Sequence, residues 1–223
     1  MLSLADYPDG TVGGPATGTS ASRRTAAAQR GTVGQGPRRP CAIRPVPGVT
    51  PRSHVLDRRP EGKAGPGVRS VGMDEAALEL MWAERACERL VYRYAWLVDS
   101  GEAAGIADLF TQDGVWAAGD SEPMRGRDGI RAGFTARQAV TRRQSRHVMT
   151  NVLIDVDGDT ATGRVYLVNY RHDSKTGVAE RPAPSDSPKF VGEYDLTFRC
   201  VDGEWLFATL DLDLAFLRHG TPS

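Results

Sequence analysis

From residue 74 onward the apolar positions fall first at three- and four-residue spacings and later at two, with the change near Arg146. Cys87, Leu90, Val91, Tyr94, Leu97 and Val98 share one face of a helix that opens on the acids Asp74 and Glu75 and runs to about Asp99. Ser100-Gly101 stops it, and a second short helix follows with Ile106, Leu109 and Phe110 on its apolar side. Asp113-Gly114 then turns into a short strand around Val115 and Trp116. A third helix is expected from about Asp128, a suitable N-cap, carrying Ile130 and Phe134 inward.

Beyond Arg146 the period is that of strands. His147 to Val156 and Thr160 to His172 are rich in Val, Leu, Ile, Tyr and Thr, and Asp157-Gly158-Asp159 between them reads as a hairpin turn. Phe190 to Val201 and Glu204 to Phe216 form a second pair around Asp202-Gly203. Helices first and long antiparallel strands afterwards predict an α+β domain, its helices packed on one face of a curved sheet. The polar stretch from Asp173 to Pro188, with Pro182 and Pro184, is long for a loop inside a compact domain.

Composition separates what precedes this pattern from the pattern itself. Residues 1–72 hold 12 Gly, 9 Pro and 11 Lys or Arg against 4 Asp or Glu, with one aromatic, Tyr7. Such a segment cannot bury a core and is expected to be a disordered leader or a mis-called start, with folding beginning at Met73 and one domain over 73–223. The leader carries net +7 and the rest net −7, so the neutral chain offers no overall basic field for nucleic acid. Cys41, Cys87 and Cys200 are too few and too scattered for a disulfide framework or a zinc site. No apolar run approaches the roughly 20 residues that span a bilayer, so the expectation is a cytoplasmic protein with no membrane partner.

The chain has no phosphate loop, dinucleotide fingerprint, nucleophile elbow or metal-ligand spacing, so no cofactor and no metal is expected, and acid–base chemistry remains. His147 lies in an apolar strand neighbourhood, where it is either a structural side chain or a proton carrier. Asp99 ends a helix, where the macrodipole disfavours an anion. It is either a solvated turn residue or a carboxylate aimed inward to orient an imidazole. Tyr94, five residues earlier, is rotated by about 140° from it and shares no narrow stripe with it. Trp96, Trp116, Tyr166, Phe198 and Trp205 read as core or pocket wall, and Trp116 or Trp205 could also stack on a cyclic ligand. Arg142, Arg143 and Arg146 read most simply as a solvated loop before the strand, with a phosphate or carboxylate clamp as the alternative.

Five short motifs in order carry a resemblance: Tyr92-Arg-Tyr-Ala-Trp-Leu-Val-Asp-Ser-Gly101 with Asp108-Leu-Phe-Thr-Gln-Asp-Gly-Val-Trp116, Gly126-Arg-Asp-Gly-Ile130, Arg146-His-Val-Met-Thr-Asn151, Asp157-Gly-Asp-Thr-Ala-Thr-Gly-Arg-Val-Tyr166, and Asp202-Gly-Glu-Trp205. Over about residues 75–218 the chain resembles a SnoaL-like domain of the nuclear transport factor 2-like superfamily. The resemblance implies a cone-shaped α+β barrel, a curved antiparallel sheet wrapped around the long first helix and enclosing a mostly apolar pocket. Relatives of this kind include scytalone and bile acid dehydratases, ketosteroid isomerase, polyketide cyclases and the non-catalytic β subunits of ring-hydroxylating dioxygenases, so fold alone does not fix function.

By the same resemblance, Asp99 and His147 match the carboxylate and histidine positions of the dehydratase-like members, and Tyr94 matches a pocket tyrosine. Asn169 stands where those dehydratases place a second His or an Asp, and Arg171 shares its strand face. Tyr194 falls near an amide or hydroxyl position of the scytalone enzyme. The implied activity is that of a cofactor-independent dehydratase, isomerase or cyclase acting on a small, mostly apolar, cyclic metabolite. His147 would be base and then acid, Asp99 its orienting carboxylate and Tyr94 a donor to a carbonyl. Asn169, Arg171, Tyr194 and Trp116 would contact substrate. The alternative is a non-catalytic ligand-binding or structural subunit. A broad outer sheet face rich in Val, Leu and Tyr predicts a homodimer or other homo-oligomer.

Overall fold

Asp74 caps the first helix, α1 (Glu75–Ser100), by accepting the Ala76 N–H on its side-chain oxygen. Its apolar stripe buries Cys87, Val91, Tyr94, Leu97 and Val98, as the spacing predicts. Gly101, at φ 85°, closes the helix by donating its N–H to the Leu97 carbonyl, a left-handed cap that glycine adopts without strain. Trp96 points away from this stripe and is 74% exposed, so it belongs to neither core nor pocket wall. The computed structural model describes residues 74–185 and 187–218. The expected leader over 1–72 lies outside the described residues.

The second helix is a short 3-10 helix, Ala103–Leu109, and Phe110 begins a strand instead of ending the helix. That strand, β1 (Phe110–Ala118), is longer than the short one expected around Val115. Its Asp113-Gly114 lies inside the strand, at an irregularity in the pairing between Phe110 and Val115. The extra length comes from a partner distant in sequence, since β1 lies parallel to the last strand of the chain. A two-residue strand, β2 (Met124–Arg125), leads into α2 (Gly126–Gln138). Asp128 sits in the first turn of α2, where the macrodipole favours an acid, and not at the cap position expected of it.

The four long strands are β3 (Arg143–Asp157), β4 (Thr160–Asp173), β5 (Phe190–Val201) and β6 (Glu204–Leu217). With β1 and β2 they form one curved, unclosed sheet in the order β2-β1-β6-β5-β4-β3, antiparallel except between β1 and β6. Helices lie against the concave face, with α1 packed mainly on β3. This is the expected α+β cone.

One local irregularity sets which side chains enter it. Thr150 pairs with Tyr166 but Leu153 pairs with Arg164, so β3 carries one extra residue at a bulge where Asn151 is left-handed at φ 54°. The inward parity therefore switches from Ser145, His147 and Met149 before the bulge to Val152, Ile154 and Val156 after it. In a regular strand without the bulge, His147 and Ile154, seven residues apart, would face opposite sides of the sheet.

The core gathers Phe110, Phe198 and Phe207, with ring centroids 5.1–5.2 Å apart, beside Ile106, Val165, Leu196 and Leu210. Trp205 is also buried, whereas Tyr166 is half-exposed on the outer face, not in the core. No helix among the described residues is long and apolar enough to cross a membrane.

Candidate active site

Between α1, α2 and the concave sheet lies a cleft of about 550 Å³ of atom-free space, counting its open mouth. Its apolar wall comes from Val98 on α1, Phe134 on α2, Phe190 on β5 and Leu212 on β6. Tyr94, Trp116, His147, Asn169, Arg171 and Tyr194 also line it, so the residues singled out from the sequence meet in one cavity.

Asp99 stands behind His147. Its Oδ1 accepts from His147 Nδ1 at 2.7 Å and from the Ser145 hydroxyl at 2.9 Å, and its Oδ2 accepts the His147 backbone N–H at 2.6 Å. Burial pushes this carboxyl up, but the bond and charge of His147, with its backbone N–H and the Ser145 hydroxyl, more than offset that, so Asp99 ends below the ordinary carboxylate range. The donors compensate the unfavourable end of the helix dipole. They also fix the tautomer: with Nδ1–H given to an ionised carboxylate, Nε2 keeps the lone pair.

The second polar group is a chain of aromatic heads. Trp116 Nε1 donates to Tyr94 Oη at 3.1 Å, and Tyr94 Oη lies 3.4 Å from Tyr194 Oη. Phe134 meets Tyr94 and Trp116 edge-on, with interplanar angles of 87° and 86°. Burial raises the Tyr94 phenol above its ordinary value, against the bonds to Tyr194 and Trp116, so it stays an O–H near neutrality. Since Trp116 already donates to its oxygen, the Tyr94 proton is available to Tyr194 or to a guest.

The third group is cationic. Arg143 and Arg171 are buried and share Asp173, through Arg143 Nε to Oδ1 at 2.7 Å and an Arg171 contact to Oδ2 at 2.6 Å. Arg137 donates to Ser145 Oγ at 3.2 Å. Arg143 is thus part of a strand and of the cavity wall, contrary to its expected place in a solvated loop. The reason is length: β3 begins at Arg143, and its inward parity runs through residues 143, 145 and 147. Among the described residues no three His, Cys, Asp or Glu side chains cluster so as to hold a metal ion. Burial pushes the Cys87 thiol up to about 12, which leaves it a core residue and no nucleophile near neutral pH.

A sequence model of the SnoaL-like domain matches residues 79–211. The chain belongs to this SnoaL-like family. Solved structures agree. A nuclear transport factor 2-like protein with a cystatin-like fold from Novosphingobium aromaticivorans is 25% identical, with a TM-score of 0.57 over 67% of this chain and 92% of that one. A protein of unknown function from Mycobacterium tuberculosis is 28% identical, with a TM-score of 0.52 over 66% of this chain and 79% of that one. A candidate scytalone dehydratase from Novosphingobium aromaticivorans, 24% identical with a TM-score of 0.53 over 64% and 91% of the two chains, shares the fold. No curated protein is similar enough in sequence to match.

Three polar residues of this SnoaL-like site were not singled out from the sequence: Ser145, Arg137 and Asp173. Each had a signal. Ser145 precedes His147 by two on a strand, and Arg137 follows Ile130 by seven and Phe134 by three on a helix, so both share the buried face of their element. Asp173 continues the inward parity of Asn169 and Arg171.

Proposed function

We propose that this SnoaL-like domain is an acid–base enzyme, a dehydratase, isomerase or cyclase, that moves a proton on a small cyclic metabolite in the cytoplasm without a cofactor. The observation that carries this reading is the part-buried His147–Asp99 pair at 2.7 Å, with His147 on the wall of a cavity and Asp99 behind it. His147 Nε2 takes a proton from a carbon next to a carbonyl, and ionised Asp99 stabilises the imidazolium that results. The protonated Tyr94–Tyr194 pair donates to the carbonyl oxygen as it gains enolate character. The imidazolium then returns its proton. Given to a β-hydroxyl, the proton leaves with it as water and a C=C bond forms; given to another carbon, it completes an isomerisation.

A direct test is proton exchange in D2O, followed by NMR, on cyclic β-hydroxyketone probes that the protein binds. Exchange or water loss by the parent, absent in a folded His147→Ala variant, is expected. A bound probe that neither exchanges nor loses water in the parent would put the non-catalytic reading in front.

The same reading includes a homodimer. Val148, Val168, Val191 and Phe216 pair in succession across β3, β4, β5 and β6 and form an apolar row on the outer face, flanked by the exposed rings of Tyr166 and Tyr170. A row of this kind on a sheet supports a self-complementary contact.

A further inference from the structure

Two buried polar groups of the cavity have no part in the proton transfer just described. Arg137 is 9% exposed and lines the cavity from α2. A guanidinium carries five N–H donors. Among the described residues that of Arg137 makes one hydrogen bond, to the Ser145 hydroxyl at 3.2 Å. The second group is Asn169, 1% exposed on β4, whose Oδ1 is buried with no hydrogen-bond partner. A buried acceptor left unmade costs free energy that a donor on a guest would recover.

The charges around the cavity point to the same conclusion. Arg137, Arg143 and Arg171 face it. Among the described residues the carboxylates of Asp173, shared by Arg143 and Arg171, and Asp99, held by His147, stand near them. Among the described residues neither carboxylate forms an ion pair with Arg137. Burial, and then the neighbouring Arg143, press the Arg137 pKa downward, as expected of a cation that lacks a carboxylate of its own. A guest anion would supply the missing charge, and a guanidinium is the side chain best shaped to take a carboxylate.

We propose that the cavity is built for a small hydroxy acid: its carboxylate sits on Arg137, its hydroxyl donates to Asn169 Oδ1, and its carbon frame lies against Val98, Phe134 and Leu212. The proposal rests on the acid–base reading for the chemistry that follows binding. It changes the expected substrate from a mostly apolar molecule to an anionic one. It also gives Asn169 a task to which an Asp there would be ill suited: a carboxylate would oppose the guest's charge, and an amide does not.

The test is calorimetric binding of the three hydroxybenzoate isomers, benzoate and the three matching hydroxybenzamides to the full chain. At least one hydroxybenzoate is expected to bind about tenfold or more tightly than both its amide and benzoate, a difference worth about 1.4 kcal/mol. Arg137→Gln should erase the preference for acid over amide while amide binding persists. Asn169→Leu should erase the preference for hydroxybenzoate over benzoate. Should Arg137→Gln melt the fold, Ser145→Ala and Arg137→Lys serve instead: the acid preference should survive the loss of the Ser145 bond and, in reduced form, the change of cation. No binding by any hydroxybenzoate, equal binding of acid and amide by the parent, or an acid preference that persists in folded Arg137→Gln overturns the proposal. His147→Ala should retain the acid preference. Anion binding without any proton exchange in the parent would therefore count against the enzymatic reading and leave the hydroxy-acid site standing.

Discussion

Asp99, in the last turn of α1, holds His147 of β3 at two points, taking its ring Nδ1–H at 2.7 Å and its backbone N–H at 2.6 Å. The double hold fixes both the strand and the ring, so the imidazole cannot turn without breaking a bond to a part-buried carboxylate. Residues joined in this way should behave as one unit.

For catalysis, His147→Ala should abolish turnover and Asp99→Asn should lower kcat by about a hundredfold or more. The double variant should be hardly slower than His147→Ala, since such units are strongly non-additive. Steady-state kinetics beside melting curves decide the matter. A well-folded His147→Ala protein within a few-fold of the parent rate would remove the mechanism.

For stability against pH, the sign follows from the lowered pKa of Asp99. A carboxyl whose folded pKa is depressed contributes stability above its unfolded value, about 3.9, and loses it as pH falls through the folded value. The gap in Tm between parent and Asp99→Asn should therefore be full above about pH 5 and shrink on acidification below about pH 4. A gap that grows on acidification would contradict the assigned ionisation.

Gly192 offers a packing test away from the cavity charges. It is buried on β5 beside a register shift, and a Cβ there would collide with the Asp213 carbonyl oxygen of β6. Gly192→Ala should cost about 1–3 kcal/mol, lowering Tm by several degrees. An unchanged Tm would mean that β6 moves aside at no cost.

The outer sheet face can be tested by charge. Phe216 is 71% exposed and pairs with Val191 in the apolar row. Phe216→Asp combined with Val148→Asp should convert a dimer to a monomer in light scattering at micromolar concentration, with Tm otherwise little changed. A parent that is already monomeric at that concentration would sink the homodimer.

The sequence by itself determined the elements. The stripe from Cys87 to Val98, the turns at Asp157-Gly158 and Asp202-Gly203 and the alternation beyond Arg146 are local patterns, and local patterns follow from the 3.6- and 2-residue periods of helix and strand. The same parity placed Asn169 and Arg171 on one face. What it did not carry were relations between distant segments. The parallel pairing of β1 with β6 lengthened β1 and took Phe110 from the helix. The extra residue near Asn151 switched the inward parity of β3, so that His147 and Ile154 share the concave face. The early start of β3 brought Arg143 from an expected loop into the cavity wall. Above all, the 140° between Tyr94 and Asp99 on α1 argued against a shared stripe, and tertiary structure answered it: Tyr94 lines the cavity directly, whereas Asp99 reaches it through His147. A helix face is set by nearest neighbours in sequence, but a cavity wall is set by whichever strands pack against that helix, and no local period encodes that choice.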